Sequence, residues 1–207
     1  MQNEITDISE VTDAIHNQFQ RNAIVDYLID DHISEGRYST MESLITDLEM
    51  AHCAAGSFSG MIYTGDVLDR LSDPDWRDAI EIAIDSYTDA VGESPSFDID
   101  SRGYRDTFRL ENVVTFAVDW MSSEVANFLR SNGQFYVVTQ AVDSLDPKPE
   151  RKVFIDQYDA QEHVNESLQS RMDHIVKHSQ YTISESEYDE LQESELLLMN
   201  IESESVE

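Results

Sequence analysis

Apolar residues recur at helical spacing along most of the first 130 positions. From Val11, the residues Ile15, Phe19, Ile24, Val25, Tyr27, Leu28 and Ile33 recur at roughly helical spacing, and Gly36 supplies a stop. Ser39 or Thr40 can cap a second helix whose stripe is Met41, Leu44, Ile45 and Leu48. Small residues fill Ala54 to Gly60, and a further helical stretch, Met61 to Leu71, ends near Asp73-Pro74. Pro74 suits the first turn of the next helix, which carries Trp76, Ile80, Ile82, Ile84, Tyr87 and Ala90 before Gly92. Residues 93–109 read as an irregular loop. Glu111 to Arg130 is apolar nearly all round, as a central buried helix should be, and Asn132-Gly133 ends it.

The period then changes. Gln134 to Val142 is rich in β-forming residues, Asp143 to Glu150 holds two prolines, and Lys152 to Asp156 is again strand-like, so the pair predicts a hairpin. Ala160, Val164, Leu168, Met172 and Ile175 place an amphipathic helix over 158–178. Tyr181 to Ile183 is expected to return as a strand, with an acidic turn and the apolar run Leu196 to Ile201 after it. The resulting fold class is α+β. It comprises a mainly α-helical acidic domain over 1–132, with residues 1–9 loose, a small β-β-α(-β) unit over 133–201, and a disordered acidic tail over 202–207.

Charge sets this chain apart. Its 207 residues carry 43 acids and 13 bases, a formal charge of -30. The acids run through the whole length rather than gathering in a tail. Such a charge repels nucleic acid and anionic membrane and attracts a basic protein. Lysine is scarce, at positions 148, 152 and 177, so salt adaptation or plain solubility is the alternative source of the charge. Cys53 has no second cysteine with which to form an intrachain disulfide, which fits a reducing compartment. The first thirty residues contain no apolar run, and no window approaches the roughly 20 apolar residues of a membrane span, so a cytoplasmic protein without leader or membrane partner is expected.

Catalytic motifs are weak. His163, His174 and His178 share one side of the 158–178 helix, and the last pair has the i, i+4 spacing of shared metal ligands. Neither an H-E-x-x-H pattern nor a further carboxylate or cysteine ligand completes the set, so exposed histidines are preferred to a metal-dependent enzyme. His52 and Cys53 are adjacent on a helix and diverge, which favours a buried thiol over a nucleophile. Gly56-Ser57-Phe58-Ser59-Gly60 carries Phe58 where a nucleophile elbow needs serine. Asp119, inside the apolar helix, is expected to pair with Arg102, Arg105 or Arg109. No catalytic residue, metal ligand or cofactor is assigned.

The acids carry the sharper expectation. Asp26/Asp30, Asp31/Glu35, Asp66/Asp69/Asp73 and Asp85/Asp89 fall at i, i+3 or i+4 on predicted helices. At about 1.5 Å rise per residue such carboxylates lie about 6 Å apart along the axis, comparable to phosphates along a nucleic-acid strand. Like charges at this spacing destabilise a helix, so their accumulation hints at a use for the charge. An ordinary solvated face is the plain alternative.

Residues 50–63 and 111–129 resemble a family of small, acidic bacteriophage and plasmid proteins. Its signature reads H-G-C-x-S-G-M-x-S-G-L-I-Y, followed by Asp-Thr and later by a Trp-Phe-Ala-Phe-Glu-Glu-Thr-Ala-like helix. Cys53, Gly56, Ser59, Gly60, Ile62 and Tyr63 match, Met61 stands for Leu, and Phe116 to Ala126 resembles the later helix. Ala51-His52 replaces His-Gly and displaces the imidazole by one position. The resemblance implies a mobile-element accessory protein and no enzymatic activity. Together with the charge it predicts a nucleic-acid-mimic-like inhibitor of a basic host protein of anti-phage defence. The acidic face would be Asp26, Asp30, Asp31, Glu35, Asp66, Asp69, Asp73, Asp85 and Asp89, with no direct nucleic-acid contact. A homodimer is left possible.

Overall fold

The computed structural model describes residues 4–34, 36–58, 70–95, 105–142, 148–179 and 182–206, without the side chains of 31, 32, 51–58 and 105–112. It is an α+β protein, mostly helical, with one three-stranded antiparallel sheet near the C-terminus. The chain divides into two compact units that are not contiguous in sequence. One comprises Met1–Asp13, Arg37–Met41 and Asn132–Glu207, the other Ala14–Gly36 and Glu42–Ser131. A single cut at 132 therefore misplaces two short N-terminal segments, which belong with the sheet.

In the helical unit the first long apolar pattern is not one helix. Helix α1 (Ser9–Phe19) stops where Gln20 takes a positive φ of 57°. Asn22 then caps α2 (Ala23–Tyr27), its side chain accepting from the N–H groups of Ile24 and Val25 at 3.1 Å. The chain continues as a π-helix over Leu28–Ser34. Ile24, Val25, Leu28, Ile29 and Ile33 are buried here. Helix α3 (Met41–Phe58) buries Leu44, Ile45 and Leu48, and α4 (Pro74–Val91) buries Ala79, Ile80 and Ala83. Helix α5 (Arg105–Asn132) begins six residues before the expected start at Glu111, inside the stretch read as loop. It buries Val114, Ala117, Met121, Val125, Ala126 and Leu129.

Polar and aromatic contacts fix this core. Ser122, fully buried on α5, donates from its hydroxyl to the Leu48 carbonyl of α3 at 2.7 Å. Arg130 reaches both Glu42 (3.1 Å) and Glu49 (2.7 Å), two turns apart on α3. Those bonds raise the affinity of the guanidinium for its proton, and the hydrogen bond from Arg130 holds the Glu49 carboxyl below its usual range. Tyr87 of α4 meets Phe116 and Trp120 of α5 edge-on at centroid distances of 5.0 and 5.1 Å.

In the sheet unit, β1 (Gln134–Gln140) and β2 (Glu150–Phe154) form the predicted hairpin, with Val137 opposite Val153. Helix α6 (Gln157–His178) starts at the Asp156 cap and buries the predicted stripe of Ala160, Val164, Leu168 and Met172. Helix α7 (Glu185–Leu196) opens on a capping box formed by Ser184 and Glu187. The third strand corrects the sequence reading. It is β3 (Met199–Ser205), antiparallel to β1 on the side away from β2, so the expected disordered tail is mostly strand. Residues 182–184 are not strand; Tyr181 lies outside the described residues.

Val138, Phe154, Met199 and the α6 stripe form one core, with Tyr136, Ile175, Tyr188, Leu191 and Ile201 packed against it. Cross-strand partners share a face, so Phe135, Val137 and Val153 are buried on the opposite side. The expectation of loose residues 1–9 also fails over residues 5–9, residues 1–3 lying outside the described ones. Thr6 and Asp7 donate to the Arg151 carbonyl at 2.9 and 3.1 Å, and the Asp7 carbonyl accepts from Val153 at 3.0 Å, so this segment lies parallel to β2. Lys152 pairs with Asp7 at 3.5 Å and Glu10 at 3.8 Å.

Candidate functional site: a carboxylate-lined helix face

Helix α4 is built to present acids. Asp73 caps its N-terminus by accepting from Asp75 N–H at 2.9 Å, Pro74 fills the first turn, and Gly92 ends it in the left-handed conformation at φ 80°. The apolar stripe through Ala79, Ile80 and Ala83 faces inward. Asp75, Asp78, Glu81, Asp85 and Asp89 are all exposed on the other side. At about 100° per residue they fall within about 120° of arc, and at about 1.5 Å per residue they extend over about 21 Å. Ile82, half exposed, lies among them. Among the described residues no cation pairs with any of the five; the nearest in sequence is Arg77, four residues before Glu81 and off the centre of the row. Each i, i+3 or i+4 pair opposes the helix by a few tenths of a kcal/mol, a cost offset by the buried face.

The predicted acidic residues divide into three groups. Asp85 and Asp89 belong to this row. Asp26 does not stand free, because its carboxylate meets His16 at 3.1 Å and Arg21 at 3.3 Å. Asp30 is exposed and lies on the π-helix, beyond the end of α2 that carries Asp26. Asp73 is occupied as the α4 cap. The side chain of Asp31, and all of Glu35, Asp66 and Asp69, lie outside the described residues. Sequence reasoning missed Asp75, Asp78 and Glu81, although the 78/81/85/89 spacing held the signal.

The histidines do not assemble. His163 is half-buried against the Phe154 ring at 5.2 Å, and burial, followed by Lys152, lowers its affinity for a proton. His174 and His178 stack at 4.1 Å, and the Nδ1 of His178 lies 2.9 Å from the His174 carbonyl of its own helix. Eleven residues of helix put His163 about 16 Å from His174 along the axis. Among the described residues no group of three His, Cys, Asp or Glu side chains could hold a metal. His52, Cys53 and the 56–60 segment contribute no described side chain, nor do the arginines proposed for Asp119, which is itself half-buried on α5.

The outer face of α6 lines an open groove of about 650 Å³ through Gln161, Glu162, Asn165, Glu166, Gln169 and Asp173, among others. Its amides are satisfied along the helix, Gln161 to Asn165 at 3.2 Å and Gln169 to Asp173 at 2.7 Å. A concave site for a small molecule is mostly apolar with a few convergent polar groups. Tyr158 is the one aromatic side chain in this groove's described lining, and the rest are amides, acids and a serine. No helix among the described residues is long and apolar enough to cross a membrane. No protein-family model, curated protein or solved structure matches the chain.

Proposed function

We propose that this chain is a non-enzymatic accessory protein of phage type that occupies the nucleic-acid-binding surface of a basic host protein. The observation that carries the reading is the α4 row, in which Asp75, Asp78, Glu81, Asp85 and Asp89 stand exposed, with no cationic partner among the described residues. A net charge of -30 supports it, because a field of that size attracts a basic surface from a distance and rejects nucleic acid itself. The resemblance to small acidic phage and plasmid proteins points to the same setting, a host cytoplasm with defence nucleases as the basic targets.

Capture from a bacterial extract tests the reading. At low salt the tagged protein should retain a basic nucleic-acid-binding protein and release it at high salt or when duplex DNA is added. Asp78→Asn/Glu81→Gln/Asp85→Asn/Asp89→Asn should retain at least about tenfold less. Recovery of no such protein, or equal recovery by the variant, sinks the proposal.

One observation favours a second reading, salt adaptation without mimicry. Exposed acids also cover α7, at Glu185, Glu187, Asp189, Glu190 and Glu193, in the other unit. Salt adaptation requires a steep rise in stability up to molar salt and an α4 variant that binds every partner as the parent does.

A further inference from the structure

The sheet has one closed edge and one open edge. Residues 5–7 cover β2, while β3 has no strand on its outer side among the described residues. The register decides which groups that edge offers. Ala141 donates to the Leu198 carbonyl and Val206 to the Gly133 carbonyl, so the even-numbered residues of β3 exchange bonds with β1. The N–H and C=O groups of Ile201, Ser203 and Ser205 therefore point outward. The strand carries no proline, bulge or lysine, the usual means of blunting an exposed edge. It carries glutamates, with Glu202 exposed and Glu204 partly so.

We propose that the β3 edge takes up an extended, lysine- or arginine-bearing segment of a protein partner as a fourth strand. The glutamates choose the occupant. A second copy paired antiparallel about residue 202 or 203 puts glutamate directly opposite glutamate, which destabilises the pair. A basic strand puts a cation there instead. Backbone bonds supply affinity in this mode of recognition, and side-chain contacts supply specificity. Leu197, 87% exposed just before the strand, with Leu196 beside it, offers an apolar contact at one end. This edge belongs to one unit and the α4 row to the other, so the two are tested independently.

A short peptide alternating lysine with valine is the probe, used with the full chain. With lysines opposite Glu202 and Glu204, the valine N–H groups face Ile201, Ser203 and Ser205. N-methylation at the valines should weaken binding at least about tenfold, whereas N-methylation at the lysines, with the same charge, should leave it unchanged. Amide exchange at Ile201, Ser203 and Ser205 should slow on binding the parent peptide. Ser203→Pro removes an outward N–H and leaves the β1 ladder intact, so it should bind about tenfold more weakly with an unchanged circular-dichroism spectrum. The quadruple α4 variant should bind the peptide like the parent protein. If that variant does not, or if the valine-methylated peptide binds equally well, charge alone is at work and the proposal is overturned. It is equally overturned if Ser203 proves to be protected by a concentration-dependent dimer. The peptide comparison decides the matter even if Ser203→Pro fails to fold.

Discussion

Ser122 is the buried polar side chain that ties α3 to α5. Its hydroxyl has no water to return to, so its single bond to Leu48 is what justifies its place. Ser122→Ala should cost about 1 kcal/mol, and Ser122→Val, which adds bulk at the same contact, about 1–3 kcal/mol. Denaturant unfolding with an unchanged slope would measure both. A gain in stability from either would show that the packing, not the bond, sets this seam. Nothing in the sequence distinguishes Ser122 from Ser123; only burial separates them. Asp26 teaches the same lesson from the other direction. Its helical spacing is legible, but its capture by His16 and Arg21 depends on the α1–α2 break at Gln20, a backbone event that side-chain periodicity does not announce.

At the scale of elements, long local patterns were legible and long-range pairings were not. The α6 stripe and the β1–β2 hairpin follow from residues close together in sequence, and both stand where the pattern puts them. Strand β3 has only Met199 and Ile201 as apolar positions, followed by alternating serine and glutamate, which reads as solvated chain. Its partner β1 lies some sixty residues earlier, so no local signal marks it. Residues 5–7 were missed for the same reason. Their attachment is also pH-sensitive. Burial pushes the Asp7 carboxyl up, but the Ser9 N–H and hydroxyl and then Lys152 outweigh it and hold it below the ordinary carboxylate value. A lowered folded pKa contributes stability that is complete above the ordinary value of about 4 and is lost as the pH falls through the lower one. Amide exchange at Thr6, Asp7 and Val153 should therefore accelerate as the pH drops below about 4, after correction for intrinsic rates. Asp7→Asn should flatten that pH dependence; an unchanged profile would show that Asp7 is not the group involved.

The helix α4 connects element to molecule. Its proline start and its end at Gly92 were readable, but Asp73 was assigned to the acidic face instead of the cap, and of the buried Ala79, Ile80 and Ala83 the apolar pattern marked only Ile80. Of the outer row only Asp85 and Asp89 stood out in the sequence, as an i, i+4 pair, whereas Asp75, Asp78 and Glu81 join it through i, i+3 and i, i+4 steps that show only as one continuous face. On the whole molecule these acids add to a charge of -30, which opposes compaction. Thermal stability should rise as sodium chloride is raised from about 0.01 M to about 1 M, the range over which the screening length falls from about 30 Å to about 3 Å. The quadruple α4 variant should be more stable than its parent at the low end, with the difference shrinking at the high end. A difference that does not depend on salt would place the effect in packing instead of charge.

In the proposed function, the α4 row competes with nucleic acid for a basic surface. The most direct measurement is the displacement of labelled duplex DNA from the captured partner by increasing amounts of this protein, at low and at high salt. The predicted result is full displacement at low salt, weakened by salt, and a shift of at least about tenfold in midpoint for Asp78→Asn/Glu81→Gln/Asp85→Asn/Asp89→Asn. Simultaneous binding of DNA and this protein to the partner, or displacement equal for parent and variant, would contradict it.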